Sequence, residues 1–300
     1  MKYLKLLIIA FSIIIINACE KPPPLPPATT VEFMDGSWVT YSPYKWPHDG
    51  NPVEGASCMV YSDGASQDLR QKVADYVDNK FEYVLELFNF ENTSDFIYPP
   101  GNEKIDVYIS RYNERRIAAA YWGSVLITIL SDTVDIDDYD YLFKHELTHV
   151  FEFLIEGTVN LEPDHWFIEG VAIYSGGGFE FLTTVEDLDY WISINSSFPG
   201  TGNPIAIHRW DDYPEGSDIT GYYCYVYDVT MKYILDPIGL GKSLQDVVNL
   251  FYDIRNGSNF SDAFLSNFGI SLEDFEEDYF EIIRSYLIDK NLLKGISSEF

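Results

Sequence analysis

The segment His145-Glu146-Leu147-Thr148-His149 sets two imidazoles four residues apart. On a helix that spacing brings both rings to one face, about one turn apart, and hydrophobic residues at helical intervals from Tyr141 to Phe153 predict that helix. Two imidazoles so placed match two corners of one tetrahedral zinc. Glu146 follows the first imidazole and points to the side where the metal's open position would be, which suits a general base acting on a bound water. The chain therefore needs a helix at 141–153 and a further ligand brought to its face from elsewhere.

Catalytic zinc usually takes three protein ligands and keeps a fourth position open. A third His spaced as in metzincins would put Gly at 152 and His at 155, but Glu152 and Ile155 stand there. The other arrangement draws a Glu from the next helix. Trp166-Phe167-Ile168-Glu169-Gly170-Val171-Ala172-Ile173-Tyr174 supplies Glu169 on a segment of helical pattern that runs into Gly176-Gly177-Gly178. Gly170 and Ala172 are small, so close packing of this helix on the His-bearing one is expected. His165 lies four residues before Glu169 and is assigned a supporting or surface role rather than ligation. His48, in a turn, has no metal spacing.

Together the two motifs resemble the gluzincin metallopeptidases of the peptidase MA-like clan, thermolysin-like in core and aminopeptidase-N-like in the Trp-x-x-Glu-Gly-x-Ala segment Trp166–Ala172. The likeness is specific over about Phe143–Tyr174. It implies an α+β, thermolysin-like zincin with a mixed α/β N-terminal lobe, an antiparallel edge strand and a helical C-terminal lobe. It also implies Zn2+ as cofactor, held by His145, His149 and Glu169, with Glu146 as base. The edge strand of such enzymes pairs with an extended peptide or protein substrate. Here Ala118–Ile129 holds that position, with Ala120, Tyr121, Trp122 and Gly123 as expected substrate contacts. In aminopeptidase-like members a Tyr nine residues before a Tyr-apolar pair stabilises the oxyanion. Tyr233-Ile234 supplies the pair, but Cys224 stands nine residues back, leaving Tyr223, Tyr225 and, by analogy with thermolysin, His208. No Gly-Ala-Met-Glu-Asn-like segment precedes His145, which favours an endopeptidase or a narrow processing protease.

The N-terminus addresses the compartment. Lys2 and Lys5 precede the apolar run Leu6–Ile16, too short for the roughly 20 residues of a membrane-spanning helix. Ala18-Cys19 follows, so residues 1–18 read as a signal peptide. The small residue before Cys19 resembles the lipobox of bacterial lipoproteins, which implies lipidation of Cys19 and a membrane partner through the acyl chains. Pro22, Pro23, Pro24, Pro26 and Pro27 would form a semi-rigid tether, placing the domain in the bacterial cell envelope, periplasmic or surface-exposed. Cys58 and Cys224 would be the remaining thiols, an even pair that could bridge in an oxidising compartment. The formal charge of −29 repels phosphate backbones, and loss of Lys2 and Lys5 with the signal makes the mature chain more negative. Nucleic-acid binding is excluded on that ground.

The expected organisation is a signal peptide over 1–18, lipidated Cys and tether over 19–30, an α/β lobe over 31–156 ending in the His-bearing helix, and a helical lobe over 157–300. Within it, Ser66 caps a helix to about Phe90, Lys104–Ser110 alternates as a half-buried strand, and Ala118–Leu130 forms one or two strands turned near Gly123-Ser124. Asp132–Asp140 reads as an acidic loop. Tyr222–Leu235 and Leu272–Leu293 read as helices. A rival of another class is a surface lipoprotein that binds glycan or protein partners through its 23 Tyr and 6 Trp, with a non-catalytic metal site. A structural zinc would have four protein ligands, whereas three are found, and would have no use for Glu146.

Overall fold

A computed structural model describes residues 29–32, 38–41, 51–62, 64–91, 93–99, 101–111, 118–158, 161–178, 182–195 and 220–297, with backbone alone for 29–32, 38–41, 191, 194–195, 220–223 and 292–297. The expected signal peptide, Cys19, the proline run, His48 and His208 lie outside the described residues. The chain is mixed α+β and divides into two compact units, Met1–Leu161 and Glu162–Phe300. Among the described residues no helix is long and apolar enough to cross a membrane.

In the first unit β1 (Thr29–Glu32) and β2 (Trp38–Tyr41) form an antiparallel pair. A five-stranded sheet follows, built from β3 (Val53–Glu54), β4 (Cys58–Ser62), β5 (Ile105–Ser110), β6 (Ala118–Tyr121) and β7 (Ser124–Thr128) in the order β3-β4-β5-β7-β6. The three central strands are parallel, and the two edge strands run antiparallel to their neighbours. Consecutive buried residues such as Val125, Leu126 and Ile127 fit central strands covered on both faces.

Helix α1 (Gln67–Leu87) begins where expected, with the Ser66 hydroxyl accepting the Leu69 N–H. It buries Leu69, Val73, Val77, Phe81 and Val84, the three- and four-residue spacing of one helix face. Asp78 on α1 accepts the N–H groups of Ala56 and Ser57 at 2.6 and 2.8 Å, which ties the helix to the β3–β4 turn. Burial alone would raise its carboxyl pKa, but hydrogen bonds from Ser57 and Ala56 win and keep it below the ordinary value.

The acidic stretch after β7 winds into a 3-10 turn over Ile136–Tyr139 rather than staying a loop, with Asp135 as its N-cap. It leads directly into α2 (Asp140–Glu156), which carries both motif histidines. The far end of α2 is held by an aromatic cluster in which Phe151 stacks on Phe88 at 4.7 Å and meets Phe90 and Phe96 edge-on.

The near end of α2 is held by charge. Asp140 accepts from Tyr76 Oη and pairs with Lys80 of α1 and Lys144 of its own helix, at 3.0, 2.7 and 2.6 Å. Burial opposes the carboxylate, yet hydrogen bonds from Lys144, Lys80 and Tyr76 hold its pKa at about 2. A depressed pKa contributes stability that is present above the unfolded value of about 4 and lost as pH falls through the folded value. Asp140→Asn is therefore expected to lower stability by about 0.5–1 kcal/mol at neutral pH, a modest figure because the side chain is partly solvated. Denaturant titrations of both proteins should converge between about pH 4 and pH 2. A gap that persists unchanged at low pH would show that the charge of Asp140 is not what matters.

The described part of the second unit is helical: α3 (His165–Gly176), α4 (Val185–Asn195), α5 (Thr220–Leu235), α6 (Leu244–Arg255), α7 (Phe260–Phe268), α8 (Leu272–Glu277) and α9 (Tyr279–Ser297). Its core gathers on Trp166 and Phe167, whose rings lie 5.4 to 6.4 Å from those of Phe260, Phe264, Phe268, Phe275 and Phe251. The helix expected to run unbroken from Leu272 to Leu293 is two helices, parted at Asp278 (φ −95°, ψ 7°). Acids at 276, 277 and 278 oppose the negative C-terminal end of one helix dipole, whereas Asp278 favours the N-terminal end of the next. The Asp278 carbonyl accepts the Ile282 N–H as that next helix starts.

Candidate metal centre

Helix α2 is buried along most of its length, so its two faces do different work. Leu147, Val150, Phe151 and Leu154 are core residues, and the polar set His145, Glu146, His149 and Glu152 is equally enclosed, at 2%, 2%, 8% and 0% exposed. Burying that many ionisable groups is costly unless their charge is balanced.

The imidazoles converge. His145 Nε2 and His149 Nε2 are 3.3 Å apart, with the rings at 89° to each other. Two nitrogens each about 2.0–2.1 Å from one tetrahedral zinc stand about 3.3–3.4 Å apart, so the pair fits such an ion. The far side of each ring is also engaged. His149 Nδ1 lies 2.8 Å from Glu152 Oε2, within hydrogen-bond distance, and the His145 ring stacks on Tyr141 at 5.7 Å and 27°.

Glu169 projects from α3 and is 5% exposed. His165, expected in a supporting or surface role, is buried, with Nδ1 3.9 Å from Glu169 Oε1 and its ring edge-on to Tyr227. The atoms that His145, His149 and Glu169 can offer to a metal all lie within 4.8 Å of one another. The carboxylate is the kind of third ligand that joins two histidines at catalytic zinc.

Gly170 makes room for a neighbour inside the helical unit. A Cβ there would stand 2.7 Å from Met231 Cγ and 3.1 Å from the Tyr227 carbonyl oxygen. The close approach it permits within the helical unit is that of α3 to α5.

The remaining site residues fall into three groups. Strand β6 is the sheet edge, with Ala120 paired to Val125 on its inner side, and Ala120 and Tyr121 are half-buried on it. Trp122 and Gly123 instead form the turn into β7. The indole is 3% exposed and its Nε1–H donates to the Ile97 carbonyl at 2.7 Å. Gly123 has φ +68°, and a Cβ there would stand 2.7 Å from Pro99. Tyr223 and Tyr225 both lie on α5. Tyr225 is half-buried, and the Tyr223 side chain is outside the described residues, as is His208. Cys58 and Cys224 are both buried and are not joined in a disulfide. Burial, with the nearby charge of Asp78, pushes the Cys58 thiol up to about 12, so it behaves as a small core residue.

Two residues of the centre escaped the sequence reading. Glu152 entered it only where a metzincin would have Gly, although three residues after His149 is the same helix face. Tyr141 entered only as the start of the helix, four residues before His145. No protein-family model matches the chain, and no curated protein matches it.

Proposed function

We propose that this chain is a zinc-dependent peptidase of the gluzincin type with a thermolysin-like fold. The observation that carries the reading is the convergence of His145 Nε2 and His149 Nε2 to 3.3 Å on a helix that also buries Glu146. His145, His149 and Glu169 would hold the ion. Zinc in such a site supplies a Lewis acid for the scissile carbonyl and lowers the pKa of a water it binds. Glu146 takes a proton from the attacking water on its carboxylate and delivers it to the leaving amine nitrogen. The backbone of the β6 edge at Ala120 and Tyr121 offers hydrogen-bonding groups to an extended peptide.

A tyrosine of α5 would donate its hydroxyl to the oxyanion. Tyr223 is the first choice, and Tyr223→Phe should lower kcat by about 10²- to 10³-fold with little change in KM. A normal kcat in that variant, with the loss found in Tyr225→Phe instead, would move the role by two residues. The absence of an amino-terminus-holding segment before His145 favours internal cleavage or a narrow processing role. The buried Glu146 weighs against the glycan- or partner-binding alternative, since a non-catalytic metal has no use for a base.

Incubation of the purified protein with a peptide library, with and without chelator, tests the activity. Cleavage that stops with chelator and returns with zinc supports it, and a library left intact in the presence of zinc contradicts it. The same reading includes a lipid anchor in the bacterial envelope at Cys19. Cys19→Ser should shift the protein from the membrane to the soluble fraction or leave it unprocessed, and unchanged membrane fractionation would rule the anchor out.

A further inference from the structure

Glu152 is wholly buried, three residues after His149 on α2, and its Oε2 lies 2.8 Å from His149 Nδ1. Its immediate chain neighbours include Val150, Phe151, Leu154 and Ile155, all in the core. Placing a carboxylate among them costs several kcal/mol of desolvation unless it is engaged. In its ionised form Glu152 has no proton to give, and the ring nitrogen facing it then carries one. In a neutral imidazole the other nitrogen then holds the lone pair, and here that nitrogen is Nε2, the atom 3.3 Å from His145 Nε2.

We propose that Glu152 is a positioning residue that locks His149 in the Nδ1–H tautomer and holds its ring, so that Nε2 is preset as a metal ligand. The inference rests on the zinc reading above and adds to it the residue that orients one ligand. The hydrogen bond does two things. It spares the metal from having to select one tautomer from a mixture, and its negative charge makes the imidazole a better donor. The Glu side chain is long enough to reach back one turn and meet Nδ1 within a single helix, so the lock is built into α2 itself.

The two contributions separate in two variants. Glu152→Gln keeps an amide oxygen able to accept the Nδ1–H and removes the charge; Glu152→Leu removes both. Long-range 1H–15N correlation spectra of the full chain, as purified and after zinc removal, read the tautomer directly. Wild type and Glu152→Gln should both show His149 protonated on Nδ1, and zinc-free Glu152→Leu should show a mixture rich in the Nε2–H form. Zinc affinity, measured by competition with a chromophoric chelator, should fall about 10- to 100-fold in Glu152→Leu and by less than about 10-fold in Glu152→Gln.

A zinc-free wild type with His149 protonated on Nε2 would overturn the proposal, and so would unchanged affinity in a folded Glu152→Leu. Should Glu152→Leu fail to fold, the wild-type and Glu152→Gln spectra still decide the tautomer. A wild type that takes up no zinc yet shows His149 protonated on Nδ1 would fail the metal reading rather than the tautomer lock.

Discussion

Glu146→Gln is expected to lower kcat/KM by about 10²- to 10⁴-fold while the protein keeps its zinc, the range over which a positioned general base contributes. Glutamine has nearly the shape of glutamate and would fill the same enclosed position on α2, where Glu146 is 2% exposed. It cannot take a proton from water. Because Glu146 is not one of the three candidate ligands, the change should leave metal content and folding almost untouched. Steady-state kinetics on a cleaved library peptide, with elemental analysis of the same sample, measures both halves. A variant that retains full activity would remove the base from Glu146, and one that loses zinc with activity would make it a ligand.

Glu169→Ala should fail in the opposite way. Its carboxylate is the only non-imidazole member of the candidate ligand group among the described residues, and without it two histidines must hold the ion alone. Zinc content should fall well below one ion per chain after dialysis against a weak chelator, and cleavage should fall with it to background. The fold should persist, because the core of that unit is built on the aromatic cluster around Trp166 and Phe167, next to Glu169 in sequence but not made by it. Zinc content equal to that of wild type would mean that another residue supplies the third ligand.

How much of this was legible in the sequence depends on the range of the interaction concerned. The Ser66 cap, the strand from Ile105 and the helix bearing His145 and His149 were readable because local periodicity and capping chemistry specify them. The parallel pairing of β4, β5 and β7 was not, since partners such as Cys58 and Ile105 are far apart in the chain. The break at Asp278 was hidden because the apolar spacing of Phe275, Tyr279, Ile282 and Tyr286 continues across it, while the charges that part the helices lie on the polar side. Gly170 announced a close contact but not its partner, which a single small residue cannot specify.

At the candidate centre the divide is similar. His145, Glu146, His149 and Glu169 stand in spacings that carry chemical meaning without a structure. Glu152 has the right spacing too, but an acid three residues from a His on a helix is most often a solvated neighbour. Only its complete burial and the 2.8 Å contact to Nδ1 mark it as part of the site.

In the proposed site one zinc ion is held by His145, His149 and Glu169. Crystals of the purified chain measured on both sides of the zinc absorption edge would reveal that ion. The expected result is a single anomalous peak per chain, about 2.0–2.1 Å from Nε2 of each histidine and about 2.0–2.2 Å from a carboxylate oxygen of Glu169. The absence of a peak at the two histidines in zinc-replete crystals, or a peak there whose third protein ligand is not Glu169, would contradict it.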